Sequence, residues 1–167
     1  TFTWGTGFAR DEEQYKLLKD FLNDPLLESE NRALSRTTLK LYHHYLSNIY
    51  SYLGEEEESY KYGLRYMKIT EEDLGKTSNP QSLLAPLNNI LSFQIRLRLK
   101  GECFETLDKL KNFEKVYSVS LNEKDMAFKI YSQIVLEISM CLEFGLIEQG
   151  LKSAAEAEEL LKTYESK

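Results

Sequence analysis

The sequence predicts an all-α protein built from stacked antiparallel helix pairs. Three observations carry this. Apolar residues recur every three or four positions through most of the chain, the spacing of one face of a helix. Glycine and proline number only 8 and 3 in 167 residues, too few punctuators for a many-turned β fold. A long apolar-periodic stretch, a turn and a shorter amphipathic stretch also come round three times, centred on Gly54, Gly101 and Gly145. These glycines stand 47 and 44 residues apart. A hairpin of two helices cannot bury its apolar face alone, so periods of this size point to hairpins stacked on one another.

Residues 1–10 are rich in glycine and threonine without periodicity and read as a flexible arm or linker, with Phe2 and Trp4 as aromatics able to dock. A helix starts at Asp11, where Asp11, Glu12 and Glu13 suit the positive end of the helix dipole, and Pro25 stops it. Residues 11–31 therefore form an N-terminal helix and connector, a half-repeat at the edge of the stack. The first hairpin covers 32–69. Leu39, Tyr42, Leu46, Ile49 and Leu53 mark its first helix, and Leu41, Tyr45 and Tyr52 widen the apolar face. Gly54 closes that helix, and Glu55 to Glu58 open the next. Thr70 to Pro80 reads as a connector.

The second hairpin covers 82–117. Leu83, Leu87, Ile90 and Leu97 run toward a turn at Gly101, and Phe104, Leu107, Leu110 and Phe113 follow. Leu91 to Leu99 also alternates like a strand, but Ile90, Phe93 and Leu97 fit a helical face, and helix is the reading adopted. The third hairpin covers 123–164. Met126, Ile130, Ile134, Ile138 and Cys141 precede Gly145; Ile147, Leu151, Ala154, Leu161 and Tyr164 follow it. The whole of 32–167 is one helical-repeat domain of about three repeats.

The chemistry is sparse. Net charge is −6, with 27 acidic and 21 basic residues, which disfavours a phosphate backbone as ligand; no direct nucleic-acid contact is expected. No run approaches the roughly 18 apolar residues of a membrane span, and no membrane insertion is expected. Cys103 and Cys141 are isolated thiols in apolar surroundings, consistent with a reducing, cytoplasmic setting. His43 and His44 point about 100° apart on a helix and do not chelate one metal together. One is expected to pack and the other to face solvent. The acidic run lacks the alternating ligands of a calcium loop, and Arg96 to Lys100 reads as an exposed basic helix face. No metal, cofactor or catalytic residue is expected, and no enzymatic activity.

The turn glycines give a register. Four residues before them stand Tyr50, Leu97 and Cys141; five after them stand Ser59, Thr106 and Gly150. A large apolar residue before the turn and a small one after it, where two helices touch, resemble the tetratricopeptide repeat family. Tyr50-Ser51-Tyr52-Leu53-Gly54 is the best match. The family repeat is 34 residues, so the periods here are longer by about ten. Tyr66 and Glu137 depart from the family's alanine and leucine.

The resemblance implies a right-handed α-solenoid that binds a protein or peptide partner along its concave face, without cofactors. It places His44, Asn48, Ser51, Asn88, Leu91, Ile95, Arg98, Ser132, Val135 and Ser139 on that face. Asn48 stands where the family's asparagine holds a ligand backbone or carboxylate. The expected role is a scaffold or adaptor; the alternative is a peptide-sensing module of a larger transcriptional or signalling regulator. With a half-repeat at its start and no strongly polar capping helix, the chain is expected to be a piece of a longer array or of a protein with further attached domains.

Overall fold

The computed structural model describes residues 12–25, 27–30, 35–74 and 80–165. The expected arm at 1–10, Gly75 to Asn79 of the expected connector, and the side chains of Leu161 and Tyr164 lie outside the described residues. All regular structure among the described residues is helical. The chain divides into two compact units, Thr1–Gly75 and Lys76–Lys167. The first hairpin therefore falls in one unit and the next two in the other.

The first unit holds α1 (Glu12–Leu22), α2 (Arg36–Tyr52) and α3 (Glu56–Asp73). Ser35 caps α2 by accepting the Thr38 amide at 3.1 Å, satisfying one of the N–H groups left over at a helix start. Helices α2 and α3 form an antiparallel hairpin. At its turn Gly54 has φ 75°, and its neighbours close the end of α2: Gly54 N donates to Ser51 O and Glu55 N to Tyr50 O. Just past the turn the helices touch. Ser47 Oγ donates to Ser59 O at 2.9 Å and Ser59 Oγ to Ser47 O at 2.7 Å, both fully enclosed. At the far end Arg36 pairs with Glu72 at 2.7 Å and with Asp73. Helix α3 continues to Asp73, into the connector expected from Thr70: Thr70 is buried and its hydroxyl donates to Tyr66 O. Helix α1 buries no residue and is tied to the hairpin by Lys19 and Glu55.

The second unit holds a 3-10 turn (Pro80–Leu83), α4 (Leu84–Arg96), α5 (Lys100–Lys111), the single turn α6 (Phe113–Val116), α7 (Glu123–Glu143) and α8 (Ile147–Glu165). Helix α4 packs against both α5 and α7, and α7 against α5 and α8, so the two hairpins of this unit stack through α7. Helix α4 buries nine of its 13 residues. A helix enclosed nearly all round is free to carry apolar residues off a single stripe, so Leu91, Phe93 and Ile95 are all buried in α4, and Leu97 and Leu99 of the following turn extend the strand-like alternation. None of the described helices is long and apolar enough to cross a membrane.

The expected turn at Gly101 is corrected. Helix α4 ends at Arg96, and the chain reverses at Arg98, which adopts φ 58°. Its hydrogen bonds copy those at Gly54: Arg98 N donates to Ile95 O and Leu99 N to Gln94 O. Gly145, with φ 68°, repeats the pattern through Leu142 O and Cys141 O. Gly101 lies in the first turn of α5, with open space where a Cβ would be. The true turn residues are Gly54, Arg98 and Gly145, now 44 and 47 residues apart. The small-residue position therefore falls on Ser59, Cys103 and Gly150 instead of Thr106 for the middle hairpin. Ser59 and Cys103 are wholly buried, and a Cβ on Gly150 would stand 3.1 Å from Cys141 Cβ.

Glu137, polar where the family resemblance puts leucine, is 5% exposed. It accepts from Lys111 of α5 at 2.7 Å and from Gln149 of α8 at 3.2 Å. About two turns toward the start of α7, buried Lys129 faces Glu114 of α6 at 3.5 Å. Two oppositely oriented pairs thus fix how α7 runs against α5 and α6.

Two measurements check this packing. In urea unfolding, Gly101→Ala gains a few tenths to about 1 kcal/mol from helix propensity, whereas Gly150→Leu loses about 1–3 kcal/mol by overpacking against Cys141. A turn at Gly101 would instead make Gly101→Ala destabilising. Lys111→Met leaves the Glu137 carboxylate enclosed with Gln149 alone and lowers stability by about 1–3 kcal/mol; Glu137→Leu, which removes the buried charge itself, changes it by less than about 1 kcal/mol.

Candidate partner-binding faces

One side of α2 is open. Leu41, Tyr45 and Tyr52 are 47%, 56% and 49% exposed. Helical spacing puts them on one face with His44, Asn48 and Ser51, which are half-buried. Three residues of the expected groove are thus together on an accessible surface. The large apolar side chains beside them, expected to pack inward, face outward instead.

The polar residues of this face are held in place. Asn48 Nδ2 lies 3.3 Å from His44 Nε2, a bond in which the amide donates and the imidazole is neutral. The His44 ring lies over Tyr66 of α3, with centroids 4.8 Å apart. Lys40 Nζ lies 5.7 Å from the same Tyr66 ring. Burial first, and the Lys40 charge second, push the His44 pKa below its usual value. Tyr66 is the platform on which His44 rests. The adjacent His43 points into the hairpin. It is 3% exposed, packs edge-on to Tyr42 and tilted on Tyr62, and sets Nε2 3.5 Å from Glu30. Its Nδ1 has no hydrogen-bond partner. Burial lowers its pKa and outweighs the opposing pull of Glu30; Arg65 adds to the lowering.

In the second unit the expected residues separate. Asn88, Leu91 and Ile95 are 1%, 0% and 7% exposed, so Leu91 and Ile95 are core residues. The displaced turn accounts for Leu91, which, counted back from Arg98, takes the place of buried Ser47; Asn88, Ser92 and Ile95 take the places of His44, Asn48 and Ser51, and of these Asn88 and Ile95 are covered in this unit because α4 packs against both α5 and α7. Both amide atoms of buried Asn88 lack a hydrogen-bond partner. Ser92 is half-buried and accepts from Arg96 at 2.9 Å. Arg98 stands in the turn itself, highly exposed and paired with Glu143 at 2.7 Å. Ser132 is buried and donates to the Phe128 and Lys129 carbonyls of its own helix. Val135 is exposed, and Ser139, half-buried, donates to Val135 O. Beside Val135 the sequence reading missed Phe128, Tyr131 and Leu142, all exposed on α7. Their three- and four-residue spacing was visible, but spacing alone does not say which of two apolar faces is covered.

These surfaces can hold a ligand by contact and hydrogen bonding. Nucleophilic chemistry is disfavoured at both thiols: burial pushes Cys103 up to about 11, and burial also raises Cys141, so each stays protonated at neutral pH. Among the described residues no group of three His, Cys, Asp or Glu side chains is placed to hold a metal ion.

The histidines give the first hairpin a pH dependence. Both have folded pKa values below the unfolded value of about 6.5. The unfolded chain therefore takes up protons first as pH falls. The stability they contribute is complete above about pH 6.5 and is lost as pH drops from there through their lower folded values. Thermal unfolding followed between pH 8 and pH 5 should show this decline, and a His43→Asn, His44→Gln double variant should flatten it.

Compared with family models, with curated proteins and with solved structures, this chain finds no match.

Proposed function

We propose that this protein is a non-catalytic scaffold or adaptor module that binds a peptide or partner protein through the first helices of tetratricopeptide-like hairpins arranged as a right-handed solenoid. The observation that carries this reading is the open face of α2. There Leu41, Tyr45 and Tyr52 stand exposed around the His44–Asn48 pair. Exposed aromatic and aliphatic side chains around a fixed amide are the ingredients of a peptide site: apolar area supplies affinity, and a few placed polar groups supply orientation. Tyrosine suits such a surface because one side chain offers both a large apolar ring and a hydroxyl.

The hairpin reading draws on the shared turn geometry at Gly54, Arg98 and Gly145 and on the small or buried residues five positions later. The neutral His44, with Lys40 as the cation seen beside it, favours an apolar segment with free backbone amides over a terminal carboxylate. Two free, buried thiols are compatible with work in a reducing, cytoplasmic setting.

The test is selection of ligands from a random peptide display library on the whole chain. Enriched peptides should be rich in apolar residues. Tyr45→Ala and Asn48→Ala should each weaken the best of them about tenfold or more, as loss of a central contact does, while circular dichroism remains helical. Peptides that bind a folded Leu41→Asp, Tyr45→Ala double variant as well as the parent would place recognition elsewhere.

A further inference from the structure

We propose that the outer face of α7 is a self-association surface, on which a second copy of this chain docks its own α7 antiparallel about a two-fold axis at Val135. Helix α7 is buried along Lys129, Ser132, Leu136, Glu137, Met140 and Cys141. The opposite side carries Phe128, Tyr131, Val135 and Leu142, exposed by 37%, 63%, 38% and 70%. Ile147 and Leu151, 59% and 66% exposed, follow on α8 just beyond the Gly145 turn. No isolated side chain explains so long a stripe on one helix.

Charge says what covers it. From Ala127 to Leu142 the only charged residues are Lys129 and Glu137, and both are buried against opposite charges. A strip of roughly 24 Å is thus without exposed charge. The chain carries net charge −6, so two copies repel over most of their surfaces. This strip lets them touch without bringing like charges together.

Its sequence is also self-complementary, as a two-fold interface requires. With Val135 on the axis of an antiparallel pair, Phe128 lies across from Leu142, both seven residues from the centre. Tyr131 lies across from Ser139, a large ring against a small side chain. Lys124, one turn before Phe128 on the same stripe, approaches the negative C-terminal end of the facing α7. The six exposed apolar residues offer on the order of 600–700 Å² per copy, close to the roughly 800 Å² per partner of a stable interface.

The experiment is sedimentation velocity of the whole chain over a wide concentration range. A monomer–dimer equilibrium is expected. Val135→Glu and Leu142→Glu, both at exposed positions, should each weaken it at least tenfold while the circular-dichroism spectrum stays helical. If one of them unfolds, the other is read. Val135→Cys should form a disulfide-linked dimer on mild oxidation, since the native cysteines are buried, whereas Lys152→Cys should not. A chain that stays monomeric at every concentration overturns the proposal, as does a dimer untouched by both charged substitutions. So does a monomer that instead binds an unrelated amphipathic helix on α7. Val135 and Ser139 also belong to the groove expected on α7, so on that helix a second copy takes the place of a peptide; none of these outcomes bears on peptide binding at α2, which is read separately by library selection.

Discussion

Two helices joined by a short turn share a core only if their backbones come close where they first diverge, and the architecture of this protein rests on that constraint. In the first hairpin it is met by two serines. Ser47 and Ser59 each bond the other's carbonyl, so two polar side chains enter a fully enclosed contact without an unsatisfied group. In the last hairpin it is met by having almost nothing there: Gly150 lets α8 lie against Cys141. Once the helices meet here, the side chains further along, such as the Tyr42–His43–Tyr62 cluster, are brought together by helical spacing alone.

In the second unit α7 carries a further demand, because it belongs to one hairpin and also touches both main helices of the other. Apolar packing is tolerant of sliding; paired charges are not. Lys129 faces Glu114 and Glu137 faces Lys111, so a slide of about two turns would set like against like and a shorter one would strand buried charges without partners. The same arrangement turns the helix's charges inward and leaves its outer side apolar. Internal register and outward stickiness are two results of one choice of residues.

The sequence made the long helices legible because helical periodicity survives in most of them; in α4, enclosed nearly all round, it is blurred by a strand-like alternation. The turns were legible only where a glycine marks them. At Gly54 and Gly145 the residue that tolerates a left-handed backbone is the residue present. At Arg98 the same conformation is taken by a side chain that seldom adopts it, held over its partner Glu143. A glycine three positions later drew the assignment away. That slip of three residues placed Leu91 in a groove although it stands in the place of buried Ser47; Ile95 keeps a groove position in the corrected count and is core because α4 is covered by both α5 and α7. The slip also hid Ser92, and moved the small-residue contact from Cys103 to Thr106. The candidate face on α2 was half legible: His44, Asn48 and Ser51 were found because Gly54 set the count correctly. Leu41, Tyr45 and Tyr52 were assigned to the interior because a sequence records how apolar a position is but not whether anything covers it.

The two sealed thiols have a use that comes from their position alone. Cys103 sits in α5, and Cys141 sits under the α8 crossing. A thiol reagent in solution reaches either one only when that part of the chain opens. The labelling rate of each cysteine therefore clocks a separate local fluctuation, and the unmodified protein carries two built-in gauges of how often its second and third hairpins breathe.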